Sequence, residues 1–246
     1  VEVVHLLLSK SDIDINKARD DGRTALFIAS FKGHLEVVRL LLSNSEIDIN
    51  KSTDRGDTAL KVATVLGFEL VVRLLQEHTN LNEGKQQEES KTSSGGNNKY
   101  VPGSLSNAIN NGDMSGVADA LGSDCVDVNE RGPGGQTPLI LASYQNRVEV
   151  VKLLLKRTDV HVNLTQDEEW TALHIASGCG YVEVVRLLLS KSEIDINKAE
   201  KDGYTALYMA SQKGRVEVVH LLLSRSDIDI NKAEEDGCTA LYVASW

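Results

Sequence analysis

Residues able to do chemistry are scattered along this chain and do not converge. Cys179 follows His174 by five positions, near enough on a helix for a thiol–imidazole pair of the kind that activates a nucleophile. Neither an oxyanion donor nor a third orienting residue accompanies them, so nucleophilic catalysis is not expected. The run Gly132-Pro133-Gly134-Gly135 lacks the Lys-Ser/Thr that completes a phosphate-binding loop and reads as a turn. His5, His34, His161, His174 and His220 occupy repeat-periodic or loop positions, where structural or solvated roles are expected. Carboxylates are many, yet they fall on turns and outer helix faces without the desolvated pairing that acid–base catalysis needs. Cys125, Cys179 and Cys238 are widely spaced, with no CxxC or Cys/His ligand spacing, which argues against a zinc site or a disulfide framework. The reading is therefore of no catalytic residue, no cofactor site, no metal site and no enzyme, in a protein of a reduced intracellular, cytoplasmic compartment.

The elements that carry these residues follow from composition and repetition. The 246 residues are 41% hydrophobic and 25% charged, but only 4% aromatic, so the core must be built from Leu, Val, Ile and Ala. Three prolines suit a mostly helical chain. The net charge of −10 and pI of about 5.1, with no dense Lys/Arg run, argue against nucleic acid and anionic membranes as partners. An acidic balance favours basic partners. No signal peptide or spanning stretch is visible.

Thr24 and Thr58, and again Thr137, Thr171, Thr205 and Thr239, recur at intervals of 34 residues. The text around them repeats: DGRTALFIAS at 21–30, DGYTALYMAS at 202–211, DGCTALYVAS at 236–245. Between them come EVVRLLLS at 36–43 and 183–190, EVVKLLLK at 149–156 and EVVHLLLS at 217–224, followed by loops ending at Asn50, Asn197 or Asn231. Each unit reads as two short helices and a turn. The Thr hydroxyl can satisfy free N–H groups at the first helix start, and Gly214 can end that helix with a positive φ. Val218, Val219, Leu222 and Leu223 form a broad apolar stripe on the second helix. Helices this short are marginal alone, so successive pairs must stack to bury their stripes.

The units resemble ankyrin repeats, with Thr171-Ala172-Leu173-His174 and Thr137-Pro138-Leu139 nearest to that family's helix start. The resemblance implies an all-α solenoid of stacked helix-turn-helix units with inter-repeat β-turn fingers. The family's His is retained only at His174; Phe27, Lys61, Ile140, Tyr208 and Tyr242 stand in its place elsewhere.

Three segments follow. A first array, 1–84, holds a partial repeat 1–19 and repeats 20–53 and 54–84. Residues 85–100, rich in Gln, Ser, Gly and Asn, read as a flexible polar linker. A second array, 101–246, holds a cap-like polar repeat 101–133, repeats 134–167, 168–201 and 202–235, and a partial repeat 236–246. One array with a looped insertion is the alternative, since Thr58 and Gly103 are separated by one period plus 11. The chain begins with a second helix (Val1–Ser9) and stops after a first helix (Thr239–Trp246), without an initiating Met; it is read as a fragment of a longer array.

The resemblance also implies that a protein partner binds the turn tips and the exposed side of the first helices. Matched residue by residue, the tips carry Asp20, Asp21 and Arg23, then Asp54, Arg55 and Asp57 in the first array. Later tips carry Asp167, Glu168 and Trp170, then Lys201, Asp202 and Tyr204, then Glu235, Asp236 and Cys238. The helix side adds Phe31, Lys32, Val65, Leu66, Tyr144, Gln145, Gln212 and Lys213. Trp170 and Tyr204 occupy equivalent slots, and rigid aromatics are typical binding anchors. Around them Asp167, Glu168, Glu169, Glu200, Asp202, Glu234, Glu235 and Asp236 read as an acidic rim with Lys201 as counter-charge. Two readings stand side by side: capture of a basic protein segment, or aromatics that pack across neighbouring turns while the acids solvate the loops. A structural spacer for domains elsewhere is the alternative function, favoured by the near identity of many units.

Overall fold

The computed structural model describes residues 1–79, 104–123 and 126–246. Among these, the chain forms helices and short turns, and extended pairing is confined to isolated bridges such as Ser52–Thr58, Thr165–Thr171 and Ala199–Thr205 at the bases of turns. Residues 85–100, read as a linker, lie outside the described residues, as does Cys125.

Six first helices are built the same way. These helices are α2 (Ala25–Phe31), α4 (Ala59–Val65), α8 (Pro138–Tyr144), α10 (Ala172–Cys179), α12 (Ala206–Gln212) and α14 (Ala240–Ala244). In each, the Thr just before the helix turns its hydroxyl oxygen toward the backbone N–H three residues on. Thr24 accepts from Phe27 at 3.1 Å, Thr205 from Tyr208 at 3.1 Å and Thr239 from Tyr242 at 3.2 Å. That bond satisfies one of the free donors at a helix start and contributes about 1 kcal/mol. Pro138 at the first position of α8 loses nothing, because its missing N–H would have been unpaired there.

Second helices are α1 (Glu2–Leu8), α3 (Leu35–Leu42), α5 (Glu69–Thr79), α7 (Met114–Leu121), α9 (Val148–Lys156), α11 (Val182–Leu189) and α13 (Val216–Leu223). Their apolar stripes are fully covered at Val4, Val38, Val151, Val185 and Val219. The opposite faces carry ion pairs such as Glu36–Arg39 and Glu183–Arg186, each contributing a few tenths of a kcal/mol at about 0.3–0.5.

The described residues fall into two compact units. One comprises Val1–Thr92 with Asp229–Trp246, the other Ser93–Ile228. In the second, α6 (Ser104–Asn111) and α7 open the stack. Leu105, Ile109 and Val117 are fully buried, and Ser106 is tied to Glu130 through its hydroxyl at 2.8 Å. In the first unit, α14 packs against α1 and α2. The half-repeat 236–246 thus packs, within this unit, on the N-terminal half-repeat. In that packing Leu241 and Tyr242 of α14 are covered, at 1% and 2% exposure.

Loop asparagines knit neighbouring repeats together. Asn163 donates to the Glu193 carbonyl at 2.7 Å and accepts from the Asp195 N–H at 2.8 Å. Asn16 does the same with Glu46 and Asp48, and Asn129 with Asp159 and His161. The side-chain amide thereby stands in for a strand pairing that the loops do not form.

Left-handed backbone recurs at two fixed slots. The first follows the first helices α2, α4, α6, α8, α10 and α12 and holds Gly33, Gly67, Gly112, Gly180 and Gly214, with Asn146 in their place once at φ 54°. The second lies in the turn finger, where Glu169 adopts φ 63° in a slot that is glycine in the other repeats. A side chain there costs roughly 1–2 kcal/mol, offset in part by the entropy a glycine would lose. Glu169→Gly is expected to stabilise the second unit by about 0.5–1 kcal/mol, read as a higher urea midpoint with unchanged slope; an unchanged or lower midpoint contradicts strain at this turn.

Candidate functional site

Turn fingers are closed loops whose first and last residues bond to each other. Gln166 N–H donates to the Trp170 carbonyl at 3.0 Å, and Glu200 N–H to the Tyr204 carbonyl at 3.1 Å. Fingers also touch along each stack: Asp167 N–H reaches the Gly134 carbonyl at 3.0 Å, and Asp54 N–H the Asp21 carbonyl at 3.1 Å. These backbone bonds hold the tips rigid, and rigidity limits the entropy lost when a partner binds.

On the second unit, Glu168, Lys201 and Asp202 are exposed, and Asp167 is half-buried. Trp170 and Tyr204 are half-buried, each leaning on an aromatic of its own repeat. Trp170 lies 6.3 Å from the His174 ring at a tilt of 58°, and Tyr204 stacks on Tyr208 at 4.7 Å and 22°. Each anchor is thus braced within its own unit and keeps part of its surface open. The first-helix face presents Tyr144, 59% exposed, with exposed Gln212 and Lys213. Gln145 is held by Asn110 at 2.7 Å.

Two residues counted in the acidic rim serve the turns instead. Glu200 is only 5% exposed; its carboxylate accepts from the N–H groups of Asp202 at 2.8 Å and Tyr204 at 3.0 Å. Burial raises its pKa in spite of those bonds. Glu234 accepts from the Cys238 N–H at 2.8 Å. Their slot is filled by Thr53 in another finger, whose hydroxyl accepts from the Asp57 N–H at 3.1 Å, so the position is a turn brace and not a surface charge. Cys238, read as a tip residue, is buried, and burial pushes its thiol pKa up, with Glu234 adding to the shift.

Glu235 and Asp236 are exposed, but they belong to the first unit. Asp236 accepts from the Arg19 guanidinium at 2.6 Å, a counter-charge that the sequence did not disclose. The first unit also carries an apolar row on its first-helix ends: Trp246 at 56% exposure, Phe31 at 41% and Val65 at 78%. The Lys32 ammonium lies 3.9 Å above the Trp246 ring, a cation–π contact. Trp246 was missed as a surface residue. Its slot, seven residues after Thr239, is that of Phe31 after Thr24 and Tyr144 after Thr137, and this alignment would have exposed it.

The sequence's one nucleophile pairing does not assemble. His174 is 1% exposed, and its Nδ1 lies 3.1 Å from the Thr171 N–H and 2.8 Å from the Thr171 hydroxyl, closing a reciprocal cap at the helix start. Cys179 sits exposed at the other end of α10. Among the described residues no group of three or more His, Cys, Asp or Glu is placed to hold a metal ion.

Residues 1–85 and 105–200 match the family description Ankyrin repeats (3 copies), and residues 180–223 match Ankyrin repeats (many copies). With that coverage and this helix-pair geometry, the chain belongs to the ankyrin repeat family. No curated protein matches it. Ankyrin repeats are generally protein–protein interaction modules and are typically non-catalytic. No helix among the described residues is long and apolar enough to cross a membrane.

Burial lowers the His174 pKa from 6.5 to about 4. A histidine whose folded pKa is depressed stabilises the fold above its unfolded pKa, and that contribution is lost as pH falls from about 6.5 toward about 4. The shift corresponds to a loss on the order of 3 kcal/mol across that window. Tyr208 and Tyr242 fill this slot in other repeats, so His174→Tyr is the matched control. Urea titrations at pH 7 and pH 4.5 are expected to show a smaller loss of stability in His174→Tyr than in the parent; equal losses contradict a buried neutral imidazole.

Proposed function

We propose that this chain is a protein-recognition scaffold, and that its second unit captures a basic protein segment. The binding residues are Asp167, Glu168, Trp170, Lys201, Asp202 and Tyr204 on the tips, with Tyr144, Gln212 and Lys213 on the first-helix face. Glu235 and Asp236 supply a further acidic tip on the first unit. One observation carries the reading: the Thr caps and loop asparagines repeat almost unchanged, while the finger slot just before each Thr, half-buried in five repeats and buried at Cys238, differs from unit to unit. The residue before each Thr is Arg23, Asp57, Gln136, Trp170, Tyr204 or Cys238. A scaffold held constant beneath a varied surface is what recognition needs.

The acidic tips and the net charge of −10 support a basic partner and weigh against nucleic acid. Free thiols at Cys179 and Cys238 accord with a reduced intracellular compartment, which is part of the same proposal, as is a polar linker at 85–100 between two arrays. The spacer reading keeps one observation in its favour: Val1–Ala18 repeats Val216–Ala233 except for Lys10 in place of Arg225, and such uniformity is more than recognition requires.

Glu168 and Asp202 are exposed, so Glu168→Gln/Asp202→Asn changes charge without removing a turn brace. Binding of an oligo-arginine peptide, measured by calorimetry across salt concentrations, is expected to weaken roughly three- to tenfold in this variant, with a shallower salt dependence. Equal affinity and an equal salt slope in parent and variant would move the spacer reading ahead.

A further inference from the structure

The seventh residue after each helix-starting Thr lies at the end of a first helix, and in the second unit one of these places lacks a side chain. Tyr144 and Gln212 hold it in two repeats, and Gly178 stands between them. Gly178 belongs to α10 and has no positive φ, so no turn requires a glycine there. A glycine inside a helix is destabilising relative to alanine. A Cβ on Gly178 would meet only Met209, at the ordinary contact distance of 3.4 Å. Neither backbone nor packing demands the gap. Arg215 borders it: Nε donates to the Gly178 carbonyl at 3.1 Å, and Cδ would stand 2.9 Å from a Cβ on Gly180. The guanidinium is thus held against the helix end, on an exposed side chain. Among the described residues no carboxylate pairs with it, whereas Arg157, Arg186 and Arg225 of the same unit each have one. Tyr144, Cys179 and Tyr181 complete the rim. The Tyr181 pKa is raised by burial first, then by Cys179 and Tyr144, while Arg215 opposes the rise. Arg147 lies over Gly112 in the same manner, but there Asn110 fills the place and is tied to Gln145 at 2.7 Å.

We propose that the gap at Gly178 receives an acidic side chain of the bound segment, with Arg215 as its counter-charge. Such a seat presupposes capture of a basic segment by the second unit, and it gives that segment a second, opposite charge. The two edges of the binding surface differ in sign: Glu168 and Asp202 are exposed at the tips, and Arg147, Lys213 and Arg215 at the helix ends. Arginine suits the seat, because its planar fork of N–H donors matches a carboxylate. With Nε engaged by the Gly178 carbonyl, the Nη groups remain to donate. Helix α10, which runs from one edge to the other, has 8 residues and spans about 12 Å. An extended chain rises about 3.3 Å per residue, so the partner's basic and acidic residues stand about four positions apart. Fixed charges at both edges set the direction in which the segment crosses the unit, which acidic tips alone do not.

Two end-capped peptides test the seat, Arg-Arg-Ser-Leu-Ser-Glu-Glu and Arg-Arg-Ser-Leu-Ser-Gln-Gln, each titrated by calorimetry into the full chain. The protein carries a net charge of −10, so long-range attraction by itself favours the Gln peptide, the more positive of the two. A carboxylate seat reverses that order, and the Glu peptide is expected to bind about three- to fivefold more tightly. Arg215→Gln removes the cation, and Gly178→Gln fills the gap with the side chain of the next repeat. Each is expected to abolish the preference and leave binding of the Gln peptide unchanged. Glu168→Gln/Asp202→Asn is expected to weaken both peptides and keep the preference. Circular dichroism checks folding; Gly178→Gln puts a better helix former inside α10, so it decides the matter should Arg215→Gln unfold. Equal affinities in the parent, or tighter binding of the Gln peptide, overturn the acidic seat and leave capture of basic segments standing. A preference that survives both substitutions overturns it as well. Binding of neither peptide removes the basic-segment reading, and the seat with it.

Discussion

No helix pair in this protein can stand by itself, and the rest of the structure follows from that dependence. First helices of five to eight residues and second helices of seven to eleven are below the length at which an isolated helix persists in water. Each fully covered Val or Leu contributes roughly 1.5–3 kcal/mol, but only when a neighbouring pair supplies the cover. Stability in such an array is a sum of weak units and the interfaces between them. The loop asparagines make the dependence directional, since each reaches forward to the carbonyl and N–H of the next loop. Thr caps and left-handed slots shape a unit; stacking decides whether it exists.

The same constraint separates scaffold from surface. Residues that cap, stack or brace a finger have little freedom to change, and this accounts for Glu200 turning inward while its neighbours Lys201 and Asp202 face out. Slots that keep part of their surface open have more room to vary. They hold Trp170 and Tyr204 on one unit and Trp246, Phe31 and Val65 on the other, and the binding proposal rests on that freedom.

Most of the helix architecture was legible because it is periodic. Six threonines at fixed intervals announced six helix starts, and all six caps form. The Val-Val-x-Leu-Leu-Leu runs announced the buried stripes. What period could not show was anything set by a partner elsewhere in the chain. Glu200 and Glu234 read as surface acids because their acceptor role depends on finger geometry. Glu169 gave no sign of its positive φ, since the aligned glycines define the slot while a glutamate in it looks ordinary. The packing of α14 against α1 and α2 carried no local sign, because its text is simply that of a first helix. The candidate site was legible by slot, not by contact, so the bracing of Trp170 and Tyr204 within their own repeats came only from the structure.

Hydrogen–deuterium exchange over residues 1–9 and 239–246 is the most direct measurement of neighbour dependence. If cover from a neighbour is what stabilises a helix pair, the amides of α1 and α14 will be protected together, and Leu241→Asp will release both while α10 and α11 stay protected. Free exchange of α1 in the parent protein, or protection of α1 that survives Leu241→Asp, would contradict the account.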